Sequence, residues 1–352
     1  MRLFLALQLL LSTADQTGSF DTLRYEGRDA LLQSRYADAE RLLKGAIQKG
    51  EAEGVVDQPL RAIVLNDLAE TYRGMGRFDE AETYYKESVS ILRRSPESAR
   101  AFVMVLNNLG ALYRNRGQYL RAAACYEEAM TAAKKVLPGN DALFGTILHG
   151  LAAVSAWNGD LQNAQKQLER SLRIRESSLG SESFEVADTL NSIGTLQLQT
   201  KQYSKAEDNF RCSLLLLQNL YGPNHSDVAS VVNNLGVVLL AQKKYAEAEP
   251  ALERSVHLYR TNLSAAATQV ADAIYNLARL YIDQERFAES ESLLREVVAL
   301  RNSHHHRASD EDASAYEHYA LALRRNGRTA DAAAAEARAK SIRSELRYTF
   351  KP

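Results

Sequence analysis

The sequence predicts an all-α solenoid of about eight stacked helix-turn-helix repeats. Three observations carry this. A small residue returns every 41 or 42 positions, a bulky-and-alanine pattern follows it in fixed phase, and glycines and prolines fall where helices would end. The small residues are Gly27, Ala69, Gly110, Ala152, Gly194, Gly236, Ala278 and Ala320, with successive gaps of 42, 41, 42, 42, 42, 42 and 42. Nine residues after each stands Tyr36, Phe78, Tyr119, Leu161, Tyr203, Tyr245, Phe287 or Thr329. Twelve after it comes Ala39, Ala81, Ala122, Ala164, Ala206, Ala248, Ser290 or Ala332, and sixteen after it Leu43, Tyr85, Tyr126, Leu168, Phe210, Leu252, Leu294 or Glu336. A fixed period of 20–50 residues is the mark of repeat architectures.

Each unit reads as two helices. The first carries apolar residues at three- and four-residue steps, as in Leu235, Val238 and Leu239. A turn follows at Gly76, Gly117, Gly159 and Gly327, because glycine adopts the left-handed conformation that ends a helix. Lys201, Lys243 and Glu285 hold that place in three units, which predicts a tighter or differently closed turn there. The second helix starts near the aromatic site. Pro59, Pro96, Pro138 and Pro223 fall between units, where a helix should stop. Pro250 is the exception, early in a second helix and near the turn where a missing N–H costs least.

A mid-helix glycine costs about 0.5–1 kcal/mol relative to alanine. The phase explains the expense if the small site faces the small site twelve residues later, so that the antiparallel pair closes. Neither pair buries its apolar face alone, and stacking supplies the core. The expected repeats span 20–61, 62–102, 103–144, 145–186, 187–228, 229–270, 271–312 and 313–352. The end units read as caps. Glu26 replaces the leucine before Gly27, and Glu336 replaces the bulky residue within the helix-forming alanine tract Ala332 to Ala339.

Lys+Arg is 43 and Asp+Glu is 44, a balance that argues against a nucleic-acid binder. The N-terminal MRLFLALQLLLSTADQ is too short to span a bilayer. Two readings are open for it. Residues 1–14 form a signal peptide, with Ser12-Thr13-Ala14 at the cleavage site, and the protein is exported to a periplasmic or extracellular space. Otherwise the segment is an apolar helix on the first repeat of a cytoplasmic protein. No other run nears membrane-spanning length.

The sequence lacks HExxH, GxxxxGK[ST], GxSxG and GxGxxG, so it implies no enzyme and no cofactor. His304-His305-His306 has no acid or cysteine at ligand spacing and reads as a loop, not a metal site. Cys125 and Cys212 sit two repeats apart, too far for a disulfide, and read as buried and inert. Asn224-His225-Ser226 and Asn262-Leu263-Ser264 match the glycosylation sequon, which matters only in a eukaryotic secretory cell.

The phrase Leu109-Gly110, Tyr113, Ala122 and Tyr126 resembles the tetratricopeptide repeat. The 42-residue unit is similar to the longer repeats of kinesin light chains, whose linker phrase matches Tyr221 to Ala229 with the proline displaced. The chain shows no heptad coiled coil, so motor binding is not implied. The resemblance implies a right-handed superhelix with first helices lining a concave groove.

Three residues before the small site stand Asn66, Asn107, His149, Asn191, Asn233, Tyr275 and Glu317; two before it stand Asn108, Asn234 and Asn276. A carboxamide both donates and accepts. A ladder of them suits the backbone of a bound peptide, and the resembled repeats use such asparagines in that way. The same amides alternatively cap turns or bridge adjacent repeats. One turn on, the face offers Arg73 and Arg114, then Trp157, Leu198, Leu240 and Ile282, then Arg324 and Arg325, with Asp188 and Asp272 on the rim. That pattern fits apolar anchors and some acidic residues on a ligand. Leu198, Leu240 and Ile282 equally fit the inter-repeat core. The expected function is a non-enzymatic protein- or peptide-binding scaffold. The alternative is a peptide-responsive sensor whose superhelix changes shape on binding. Nothing in the sequence sets an oligomeric state.

Overall fold

The computed structural model describes residues 19–54, 58–261, 267–303 and 309–349. Residues 1–14, the three adjacent histidines and the Asn262 sequon lie outside them. Among the described residues there are sixteen α-helices and no strand, and no helix is long and apolar enough to cross a membrane. The chain forms two compact units that divide between Ser178 and Leu179.

The first unit holds four hairpins: α1 (Phe20–Leu32) with α2 (Tyr36–Glu53), α3 (Gln58–Gly74) with α4 (Phe78–Leu92), α5 (Ala99–Asn115) with α6 (Tyr119–Val136), and α7 (Ala142–Trp157) with α8 (Leu161–Leu179). The second holds α9 (Phe184–Gln199) with α10 (Tyr203–Tyr221), α11 (Ser226–Ala241) with α12 (Tyr245–Thr261), α13 (Ala267–Asp283) with α14 (Phe287–Ser303), and α15 (Asp310–Arg325) with α16 (Thr329–Thr349). Within each unit the hairpins stack in order. The first helix of one touches the first helix of the next, as α1 touches α3 and α11 touches α13. Each unit is therefore an α-helical solenoid with its own apolar core.

All eight turns close alike, which corrects the expectation of different turns at three of them. Gly76, Gly117, Gly159 and Gly327 have φ of +74°, +69°, +80° and +80°. Ser34, Lys201, Lys243 and Glu285 occupy the same left-handed region at +57°, +59°, +60° and +59°. The next N–H then reaches back over the helix end, as Arg77 does to the Tyr72 carbonyl (2.9 Å) and Lys244 to that of Leu239 (2.9 Å). These bonds satisfy carbonyls that a helix end leaves open. The hairpin imposes the conformation, and a non-glycine residue carries the strain.

The small sites are buried, and position twelve meets one of them, since Ser290 donates to the Ala278 carbonyl at 3.0 Å. A Cβ on Gly27 would lie 2.8 Å from Leu43 Cγ, one on Gly194 2.7 Å from the Phe210 ring, and one on Gly236 2.6 Å from Leu252 Cγ. The close neighbour is the bulky residue sixteen positions on. The alanines at position twelve are buried and keep the second helix narrow elsewhere. A hydrogen bond ties several hairpins further: Ser88, Ser171 and Ser213 each donate to the carbonyl of Ala62, Gly145 or Ala187 at 2.7 Å.

Charged bridges run along the turn edge of each unit. Glu40 pairs with Arg77 (3.2 Å) and Glu82 with Arg116 (2.9 Å). Glu207 pairs with Lys244 (2.8 Å) and Glu249 with Arg286 (2.6 Å). The carboxylates are largely covered, Glu207 fully so, while their cationic partners reach solvent.

Other expectations need amending. Pro59 is the second residue of α3 and so helps to start a helix. Pro96 opens a short 3-10 turn. Pro250 is the sixth residue of α12, beyond the first turn, on an exposed face where water can take the freed Ala246 carbonyl. Cys212 is exposed and Cys125 half-buried, because their positions fall outside the stripe that meets the first helix. In the end hairpins Glu26 is exposed and Glu336 pairs with Arg324 at 2.6 Å.

Candidate binding groove

The asparagines form rungs between neighbouring hairpins. The residue three before the small site meets the residue two before it on the next hairpin. Asn108 Nδ2 donates to Asn66 Oδ1 at 3.1 Å in the first unit. In the second, Asn234 Nδ2 donates to Asn191 Oδ1 (3.0 Å) and Asn276 Nδ2 to Asn233 Oδ1 (3.1 Å). A carboxamide has two N–H donors and two acceptor lone pairs. One rung uses one of these and fixes the plane of the amide.

Three rungs within the units depart from the pattern, one of them setting Arg24 opposite Asp67. Tyr275 Oη lies 2.8 Å from His318 Nδ1 where two asparagines would stand. Burial lowers the His318 pKa, and Arg279 adds to the effect. Asn107 has Gly150 at its partner position. The Tyr126 ring fills that space, 2.4 Å from where a Gly150 Cβ would sit, and Asn107 Oδ1 is buried without a hydrogen-bond partner.

In the first unit, α1, α3 and α5 line an open groove of about 450 Å³. Asn66 and Asp67 lie on its floor with Asn108 beside them, while Leu31, Leu32 and Met104 are among its apolar walls. Arg73 lines it too, held by Glu70 through Nε (3.0 Å) and Nη2 (2.6 Å). Glu70 also accepts the hydroxyl of the buried Tyr85. Burial is the largest influence on Arg73 and lowers its pKa, but Glu70 more than reverses it and the guanidinium stays charged.

The groove thus gathers three residues singled out from sequence: Asn66, Arg73 and Asn108. The others are spread along the first helices. Asn107 is buried and Arg114 half-buried on α5. Trp157 is 51 % exposed and stacks on Tyr119 with ring centroids 4.8 Å apart. Asn191, Asn233, Asn234, Asn276 and Leu198 are half-buried. Leu240 is 4 % exposed and belongs to the core of the second unit, and Ile282 packs on Ala278, Leu294 and Ala322. Asp272 pairs with Arg301 at 2.7 Å.

Asp67, Glu70, Arg28 and Tyr36 are groove residues that the sequence reading missed. Asp67 was legible by register, since it holds the same position as Asn108, Asn234 and Asn276.

Repeated hairpins, left-handed turns and side-chain rungs between first helices define a class of protein, the helical-repeat solenoid. The chain belongs to the tetratricopeptide-repeat family: models of that repeat match residues 19–94, 103–141, 143–214, 201–261 and 270–305. No curated protein matches it. Among solved structures it is similar to BtubC (BKLC) from P. vanneervenii, at 24% identity and a TM-score of 0.55, covering 64% of this chain and 91% of that one. It is also similar to a signal-transduction ATPase with numerous domains from Pyrococcus horikoshii, which carries a tetratricopeptide repeat sensor. That match has 14% identity and a TM-score of 0.64, covering 96% of this chain and 51% of that one. The apo form of RapI matches at 14% identity and a TM-score of 0.63, covering 80% and 97%. At these identities the likeness shows the fold.

Proposed function

We propose that the chain is a non-catalytic scaffold that holds a segment of a protein partner against the first-helix face of its hairpins. Membership of a repeat family built for protein contacts supports the general reading. The observation that carries the finer one is the groove over α1, α3 and α5, where rung amides lie on the floor between apolar walls. A main chain supplies donors and acceptors to such amides without demanding one sequence, while apolar walls take its side chains.

The test is capture of random peptides by the whole chain. Leu32 is 76 % exposed, so Leu32→Glu should leave melting unchanged. Together with Met104→Glu it should weaken capture at least tenfold, about 1.4 kcal/mol. Capture unaffected by either charge would place the partner elsewhere. A second reading, suggested by the sensor named in one fold neighbour, has binding reshape the solenoid. A ligand-dependent radius of gyration in solution scattering supports it, and an unchanged radius rejects it.

A further inference from the structure

The second and third hairpins carry the same arginine and the same tyrosine in the same register. Arg73 and Arg114 stand four residues after their small sites, and Tyr85 and Tyr126 sixteen after. In the second hairpin both side chains donate to Glu70. Arg73 reaches Oε2 through Nε (3.0 Å) and Nη2 (2.6 Å), and the Tyr85 hydroxyl reaches Oε1. In the third hairpin Ala111 holds the position of Glu70, one residue after the small site. Arg114 accordingly makes no hydrogen bond or ion pair among the described residues. It is half-buried, and its guanidinium is not sealed from solvent. Tyr126 is 1 % exposed with its ring packed against Gly110 and Gly150, yet its hydroxyl is neither bonded nor sealed. Burial is the largest influence on that hydroxyl and raises its pKa to about 12, while nearby Arg114 opposes the rise through space. Two donors thus stand near each other with no acceptor between them.

We propose that Arg114 receives the carboxylate of an aspartate or glutamate side chain of the bound partner, with the Tyr126 hydroxyl as a second donor. The inference rests on the groove-binding reading above and names an anchor within it. Glu70 is the precedent inside the molecule, a carboxylate held by one arginine and one tyrosine in the same register. Charge complementarity points to the same occupant. The planar fork of a guanidinium matches the two oxygens of a carboxylate, and such charge-assisted bonds are roughly twice as strong as neutral ones. Partial burial also reduces screening by salt. Arg73 offers no such anchor, because Glu70 already engages it. A main-chain carbonyl would accept from Arg114 more weakly, and a C-terminal carboxylate would accept as well. The test separates these from a side-chain acid.

The probe is a positional-scanning hexapeptide library, acetylated and amidated so that side chains alone carry charge. Binding to the whole chain is read by fluorescence anisotropy, and hydrogen exchange locates each bound peptide. On the wild type, replacing one aspartate or glutamate by its amide should weaken peptides that protect α5 about tenfold. On Arg114→Gln the same replacement should change affinity less than about twofold. Ala111→Glu supplies the carboxylate from within, as Glu70 does, and should abolish the acidic preference as well. Peptides that protect α5 with no preference for an acidic side chain overturn this proposal and leave the groove-binding reading standing. So does binding that requires a free C-terminal carboxylate, read with an unamidated copy of the library. Absence of any peptide from the groove overturns both. The comparison on the wild type decides the matter even if a variant fails to fold.

Discussion

Replacing Gly236 probes the closest approach between two helices of a hairpin. A Cβ there would sit 2.6 Å from Leu252 Cδ2 and Cγ and 3.3 Å from the Leu252 backbone nitrogen. Leu252 is fully buried, so its side chain has no solvent to retreat into. Hairpins with Ala152 opposite Leu168 and Ala278 opposite Leu294 accept one methyl at this place. Gly236→Ala therefore sets steric overlap against a gain of about 1 kcal/mol in helix propensity, and the net change should stay within about 1 kcal/mol. Gly236→Leu drives three more heavy atoms into the same filled space. It should cost about 1–3 kcal/mol or more. Urea unfolding followed by circular dichroism measures the loss. Nearest-neighbour stacking confines it, so hydrogen exchange should rise in α9 to α14 first. A Gly236→Leu midpoint equal to that of the wild type would refute the close approach and the stated reason for the glycine.

Three further outcomes follow from the geometry. Lys243→Gly relieves a left-handed backbone and should stabilise by about 0.5–1 kcal/mol in urea unfolding, whereas a loss would mean that the lysine carries no strain. Asn234→Ala breaks the rung to Asn191 and should cost about 0.5–1.5 kcal/mol, with a double-mutant cycle against Asn191→Ala giving a coupling of about 0.5 kcal/mol or more. Burial works to raise the Glu82 carboxyl, but Lys86 and Arg121 outweigh it and hold the pKa at about 2 against an ordinary 4.5. The unfolded chain then binds the proton more readily, so stability is fully present above 4.5 and is lost as pH falls towards 2. Glu82→Gln should flatten that part of a stability-against-pH curve, and an unchanged slope would assign it to other carboxylates.

The periodic features were legible in the sequence because each has a local cause. The small sites, the apolar stripes and the glycine turns follow from helix geometry within one repeat. Features that depend on three-dimensional packing were not. Lys201, Lys243 and Glu285 gave no sign of a left-handed backbone, since the hairpin and not the residue selects it. Register alone also did not show that the bulky side chain sixteen positions on lies nearest each small-site glycine. In the groove, phase along the first helix located the asparagines and offered bridging between repeats as one alternative, which the rungs bear out, but it could not choose between that and a free groove face. It also could not separate Leu240, turned into the core, from half-buried Leu198. Cys212 was assigned inward by residue type, while its position on the helix faces out.

Site-specific photo-crosslinking tests the groove most directly. A benzoylphenylalanine is placed at Met104, inside the groove, or at Lys86, exposed on the second helix of its neighbour. Each variant is irradiated with a bound peptide. The account predicts a crosslink from position 104 and none from position 86. A crosslink from 86 alone would contradict it.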